Sequence, residues 1–395
     1  MVTFFLVLAL SPPILLTICL AVELFAGIRP LGQDAVGELA GVTAAILVPA
    51  HNEASILGPR LAALRSAAAA SATQILLVAD NCTDDTAAIA RSLGVRVIER
   101  NDPERRGKGF ALDFGRQELA TSAPDVVIVI DADCTTDAAS IAALAGLCMS
   151  SGRPGQAINL QTASLDGSPT VQLSTFAFFV KNVIRQRALQ RLAGQVHLLG
   201  TGMAFPWHVF SAAKLATDEI VEDLALGLEL SGLGHRPLLN ENAAVWSDPE
   251  TKANMLVQRG RWEGGFLANA LRAGPKMLAN ALARLDGRAI WAAIDVMIPP
   301  LALLIAVDLV ALAGAGVIIA TTKAAAWPAT LLGLALIAMA LGLVLAWRSG
   351  GSRFISIEGL IRAPLYVLWK LPFYANLVRG KGPKGWARTR GLDHD

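Results

Sequence analysis

Five polar clusters interrupt an otherwise aliphatic chain: Pro49-Ala50-His51-Asn52-Glu53, Asp80-Asn81, Asp131-Ala132-Asp133, Glu222-Asp223 and Gln258-Arg259-Gly260-Arg261-Trp262. Asp131 and Asp133 offer hard oxygen ligands of the kind Mg²⁺ or Mn²⁺ prefers, one carboxylate on the metal and the other on an outer contact or a ribose. Glu222-Asp223 offers a carboxylate base that could take the proton from an acceptor hydroxyl. On a helix, Gln258 and Arg261 share one face; arginine forks onto phosphate oxygens, and Trp262 beside it gives a sugar ring an apolar surface. Asp80 can accept hydrogen bonds from a nucleobase or ribose. Arg106-Gly107-Lys108-Gly109 makes a cationic loop suited to nucleotide or phosphate contacts, and Pro49 to Glu53 makes a rigid turn followed by polar groups. A departing nucleotide diphosphate gathers negative charge that a metal or cationic side chains must offset. Together the clusters suit transfer of a sugar from such a diphosphate.

Taken singly, each cluster also has a plainer explanation. Glu53, Asp84, Asp85 and the Glu222-Asp223 pair all suit helix N-termini, and an isolated Asp-x-Asp is a weak signal. Lys108 would be unremarkable in a surface loop, and Arg261 with Trp262 could anchor a nearby membrane segment. The five histidines form no ligand pattern. Cys19, Cys82, Cys134 and Cys148 contain no CxxC pair, and are read as reduced and buried, in keeping with a cytosolic active domain.

The elements that position these groups follow from hydrophobic pattern. Ala44–Val48, Ile75–Ala79, Val95–Ile98 and Val126–Ile130 read as buried strands, the first three each followed by a helix-length segment. That rhythm predicts an α/β fold with a mostly parallel, Rossmann-like sheet, in which ligands collect beyond the carboxyl ends of strands. Pro49–Glu53, Asp80 and Asp131–Asp133 all lie at such ends, so one site is expected to hold them.

Composition locates the domain. A 54% hydrophobic fraction and a mean hydropathy of +0.50 exceed what a fully soluble protein carries, and the excess sits at the two ends. A formal net charge of +2 gives no signal for nucleic acid. Val2–Ile28 reads as an uncleaved anchor, kinked at Pro12-Pro13, because no Lys or Arg precedes its long apolar run. Residues 291–320 and 328–347 read as a transmembrane hairpin, followed by a tail rich in Lys and Arg that the positive-inside rule assigns to the cytoplasm. The expected division is an anchor (1–28), a linker (29–41), a catalytic domain (42–288), the hairpin (289–347) and a basic interfacial tail (348–395). The catalytic domain then shares the cytoplasmic side of an inner membrane with the tail.

In their order, these motifs resemble the family 2 glycosyltransferases, the large inverting group with a GT-A fold, and in particular its membrane-bound members related to the cellulose, hyaluronan and ceramide glucosyl transferases. The likeness covers residues 42–275 and, weakly, the flanking apolar segments. It implies that Pro49, Asn52, Glu53 and Asp80 hold the nucleoside and that Asp133, with Asp131, holds the metal. It further implies Asp223 as general base, and Gln258, Arg261 and Trp262 at the diphosphate and acceptor. The implied donor is a nucleotide-diphosphate sugar, a UDP-sugar first, with Mg²⁺ or Mn²⁺. Direct displacement would invert the anomeric carbon. The acceptor would be lipid-linked or a glycan in cell-surface polysaccharide biosynthesis. Polymer-extruding relatives carry more membrane helices than the three read here, which favours a single transfer or an export or polymerisation partner. A glycolipid synthase acting on ceramide or diacylglycerol and a non-catalytic subunit of an export complex remain as alternatives. Asp295 and Asp308 have no role in any of these readings.

Overall fold

The computed structural model describes residues 1–33, 41–163, 165–219, 221–249 and 252–378. Helix α1 (Val2–Gly27) runs without a break through Pro12-Pro13. A βα rhythm follows: β1 (Ala44–Ala50), α2 (Ala54–Ala70), β2 (Gln74–Asp80), α3 (Thr86–Ser92), β3 (Arg96–Arg100), α4 (Lys108–Leu119) and β4 (Val126–Val129). These four strands fall where the Val, Ile and Leu runs predict them, because runs buried on both faces suit parallel strands. Next come β5 (Cys134–Thr135), α5 (Ala138–Ser151), β6 (Gly155–Gln161), and then α6 (Pro169–Phe179), joined by a π-helical turn to α7 (Arg185–Ala193). After β7 (Met203–Pro206), α8 (Trp207–Ala212), α9 (Glu222–Gly232) and β8 (Leu238–Ser247), the chain is helical: α10 (Lys252–Ala283), α11 (Gly287–Met297), α12 (Leu301–Thr322), α13 (Trp327–Arg348), α14 (Ile357–Ile361) and α15 (Ala363–Val378).

Two compact units result. One comprises Pro30–Thr162 and Gly194–Gln258 and contains the sheet; the other gathers Met1–Arg29, Ala163–Ala193 and the helices from Arg259 onward. The sheet has eight strands in the order β3-β2-β1-β4-β7-β6-β8-β5. Strands β3, β2, β1 and β4 are mutually parallel, β7 runs antiparallel to both β4 and β6, and β8 returns parallel to β6. Alternate residues of β1 feed two cores. Ile46 and Val48 pack with Leu57, Leu61 and Leu64 of α2 and Ile141 and Leu144 of α5, while Leu47 packs with Leu112 of α4, Phe210 of α8 and Leu230 of α9. The sheet is thus the middle layer of three, and the loops at the carboxyl ends of β1, β2 and β4 are held by helices on both faces.

In the helical unit, α1, α12 and α13 are long and apolar enough to cross a membrane. The predicted second span from residue 291 is divided: α11 ends at Met297, and α12 starts after Pro299-Pro300, because proline at a helix start needs no amide hydrogen bond. Polar groups left unexplained by the sequence are paired here. Glu23 of α1 and Asp295 of α11 both bind Arg185 of α7, at 2.8 and 2.6 Å, and Trp291 Nε1 donates to Glu23 at 3.3 Å. Thr17 of α1 donates to Asp308 of α12 at 2.7 Å. Lys370 of α15 is buried against Glu263 of α10 at 2.5 Å, with the rings of Tyr366, Phe373 and Tyr374 within 5.6 Å of its ammonium. Most of the predicted linker (34–40) and the last part of the basic tail (379–395) lie outside the described residues.

Candidate active site

The loops after β1 and β2 are built around two asparagines in the left-handed region, Asn52 (φ 54°) and Asn81 (φ 49°), a conformation asparagine tolerates better than most residues. Asn52 Oδ1 accepts the Thr83 N–H at 2.7 Å, which staples one loop to the other. Glu53 is the N-cap position of α2, and its N–H donates to Thr86 Oγ1 at 2.8 Å. His51 Nδ1 lies 2.7 Å from the carbonyl of Asp80. The predicted capping acids divide their labour: Asp85 occupies the N-cap position of α3, but Asp84 accepts the Thr86 N–H at 3.1 Å and the Ala54 N–H at 3.1 Å. Asp80 ends β2 and is buried, with Arg100 Nη1 at 2.6 Å from its Oδ1.

Between these loops and β4 lies a cleft of about 180 Å³, lined by Pro49, His51, Glu53, Asp80, Lys108, Asp131 and Asp133 among others. Asp131 and Asp133 follow β4, and together with Cys134 they place potential ligand atoms within 4.8 Å of one another. Cys134 is buried beside both carboxylates, and burial first, then their charge, pushes its thiol well above the ordinary range. The two carboxylates are hard oxygen donors, which suit a hard divalent cation such as Mg²⁺ or Mn²⁺.

Lys108 starts α4 and is half-buried in the same cluster. Its ammonium bonds Asp131 Oδ1 and donates to the Gly200 carbonyl at 2.8 Å, with Glu222 Oε1 4.0 Å away. Burial opposes its charge, yet Asp131 and Glu222 outweigh that and hold its pKa above the usual lysine value. Lys108, expected in a cationic loop suited to phosphate contacts, stands in the first turn of α4 with a fixed counter-ion. Glu222 and Asp223 open α9. Burial, followed by the adjacent Asp223 carboxylate, pushes Glu222 up to about 8. Asp131 is raised as well, by burial before any neighbour, although Lys108 pulls against it.

Glycine matters at one point here. Gly200 has φ +84°, and a Cβ built on it would lie 3.2 Å from Asp223 Oδ2 and 3.6 Å from Lys108 Nζ. Gly202, two positions on, has a different role. There a Cβ would strike Val245 and Ala157 at 2.8 and 2.9 Å, so Gly202 serves sheet packing while Gly200 leaves room beside the acid. Thr201 between them accepts the Asp131 N–H at 3.1 Å.

The structure thus brings Asp80, Lys108, Asp131, Asp133, Glu222 and Asp223 into one unit with the loop from Pro49 to Glu53. Gln258, Arg261 and Trp262 lie on α10; Trp262 is 39% exposed, and the side chains of Gln258 and Arg261 fall outside what is described. Arg100 is the residue that sequence reasoning missed. Its signal was positional: Asp80 and Arg100 are register partners at the ends of adjacent parallel strands, so both side chains leave the sheet on the same face.

The model of the glycosyltransferase-like family 2 matches residues 42–265. No curated protein matches the chain. Among solved structures, a mannosyltransferase from Pyrobaculum calidifontis in complex with GDP-Man and Mn²⁺ is similar over 94% of this chain and 99% of that one, with 17% identity and a TM-score of 0.52. That likeness shows the GT-A fold. Glucosyl-3-phosphoglycerate synthase from Mycobacterium tuberculosis, in complex with Mg²⁺ and UDP, aligns over 61% of this chain and 84% of that one, with 22% identity and a TM-score of 0.42.

Proposed function

The chain belongs to the glycosyltransferase-like family 2, and from that premise we propose that it moves a sugar from a nucleotide-diphosphate donor to a lipid-linked or polysaccharide acceptor, with inversion at the anomeric carbon. The observation that carries the reading is the convergence of Asp131, Lys108, Glu222 and Asp223 beside a cleft at the carboxyl ends of the parallel strands. Asp80, Asn52, Glu53 and Pro49 would hold the nucleoside. Asp133 and Asp131 would hold Mg²⁺ or Mn²⁺, which when bound offsets charge on the diphosphate. The similar mannosyltransferase fold holding GDP-Man and Mn²⁺ supports that assignment.

Asp223 is the base in this scheme. Its Oδ1 accepts the Leu224 N–H at 2.8 Å, which fixes the carboxylate, and its Oδ2 faces the space that Gly200 leaves open. An acceptor hydroxyl there would give its proton to Asp223 as its oxygen attacks the anomeric carbon and the nucleotide diphosphate leaves on the opposite face. Lys108 holds Asp131 in place and keeps the acidic cluster from repelling itself. Arg261, with Gln258 and Trp262, would meet the diphosphate and acceptor from α10. The three apolar helices and the basic tail support a multi-pass protein of the inner membrane with its catalytic unit in the cytoplasm. Three candidate spans among the described residues favour addition of one sugar to a lipid-linked acceptor, or export through a partner protein; a glycolipid synthase shares this feature.

The test is release of nucleoside diphosphate by the purified full-length protein from a panel of UDP-, GDP- and other nucleotide sugars with Mg²⁺ or Mn²⁺ and membrane lipid. A donor-dependent product is expected, with turnover about 10²-fold lower or worse in Asp223→Asn and donor binding retained. Unchanged turnover removes Asp223 from the mechanism. Label recovered only in a ceramide or diacylglycerol glycoside replaces the polysaccharide reading with the glycolipid one.

A further inference from the structure

Where β2 ends, Asp80 is 2% exposed and lines the cleft. Its two oxygens are not equivalent. Oδ1 accepts hydrogen bonds from Arg100 Nη1 at 2.6 Å and Asn81 Nδ2 at 3.0 Å, whereas Oδ2 takes none among the described residues. The arrangement is locked from several sides. The Arg100 guanidinium also bonds Asp102 Oδ2 at 3.1 Å and lies 5.5 Å from the centre of the Phe110 ring. The Asp102 N–H in turn donates to Asn81 Oδ1 at 2.7 Å, which closes a ring of four residues. Oδ1 can take on a new partner only by giving up one it has.

We infer that Arg100 is a specificity-determining residue of the nucleotide site: by filling Oδ1 it leaves Asp80 one oxygen with which to read the base, and so selects a uracil-type base over guanine. This rests on the nucleotide-sugar reading and on Asp80 facing the base. Uracil presents one ring N–H between two carbonyls, which a single carboxylate oxygen satisfies. Guanine presents its N1–H and its amino group side by side, a pair that asks for both carboxylate oxygens. With Oδ1 committed, one guanine donor enters the cleft without an acceptor, and a desolvated donor left unpaired is costly. Adenine and cytosine place a ring-nitrogen lone pair at that edge, which a carboxylate repels. Sites that read a substrate through hydrogen bonds discriminate strongly against a mismatched one.

The experiment is titration calorimetry of UDP and of GDP, each with Mn²⁺, into the detergent-purified full chain and its variants. The wild type is expected to bind UDP at least tenfold more tightly than GDP. Arg100→Gln should narrow that ratio to threefold or less, Arg100→Lys should keep most of it, and Asn81→Gly, which suits the left-handed backbone, should narrow it by a smaller factor. GDP bound as tightly as UDP by the wild type overturns the inference even if no variant folds. So does an Arg100→Gln protein that weakens both nucleotides equally, since that is what a purely structural arginine would do. A wild type that binds neither nucleotide removes the nucleotide-sugar reading and this inference with it, an outcome distinct from binding without discrimination.

Discussion

At the scale of single residues, one ammonium group is shared between Asp131 and Glu222, and it limits how much negative charge the cluster can bear. Glu222 is pushed up to about 8, chiefly by burial. Its folded value lies above its unfolded one, so the folded chain binds more protons than the unfolded chain between the two. The stability Glu222 contributes is fully present below its ordinary range of about 4.5 and is lost as pH rises through about 8. In metal-free protein held in chelator, the melting temperature should fall by a few degrees between about pH 5 and about pH 8. Glu222→Gln should flatten that slope, and a wild type with a flat profile would remove the charge argument. The acidic motifs themselves were legible in sequence, because strand-end position distinguishes them from scattered carboxylates. The roles of Lys108 and Arg100 were not. One required knowing that α4 starts at Lys108; the other required the register of β2 against β3.

At the scale of elements, the pair Lys370–Glu263 joins α10 to α15 one residue after Trp262. Neither charge reaches bulk water readily, the side chains being 2% and 11% exposed. Removing one partner of a buried pair strands the other, at a cost of about 3–5 kcal/mol, whereas replacing both by apolar groups can be close to neutral. Thermal unfolding of the detergent-solubilised full chain should therefore show Glu263→Gln strongly destabilised and the double variant Glu263→Leu with Lys370→Met largely restored. A single variant as stable as wild type would mean that the pair is solvated. This contact was hidden in the sequence, since it spans 107 positions and has no local pattern. The first four strands and the three long apolar helices were readable because a buried run of Val, Ile and Leu leaves few alternatives. The second half of the sheet was less so: β5 has two residues and β7 four, and both pair antiparallel with strands remote in sequence. Likewise, no sequence feature separated residues 163–193, with α7 and its Arg185, from the sheet unit.

At the scale of the whole molecule, the proposed topology puts the turn between α12 and α13 on the outer side of the membrane. Ala326, exposed at the start of α13, reports on it. In intact cells a membrane-impermeant maleimide should label Ala326→Cys, while native Cys82, half-buried in the catalytic unit, stays unlabelled until the cells are opened. Labelling only after lysis would reverse the orientation. The bond between Thr17 and Asp308 has a further consequence for how such a chain is made. Its partners are 291 positions apart, and a ribosome adding roughly 5–20 residues per second needs about 15–60 s to pass from one to the other. In the proposed topology α1 would be in place for that interval, and the aspartate that completes the pair would follow. Under the proposed topology, α12 would then carry its carboxyl group to a hydroxyl partner already in the membrane, which would spare that group exposure to lipid.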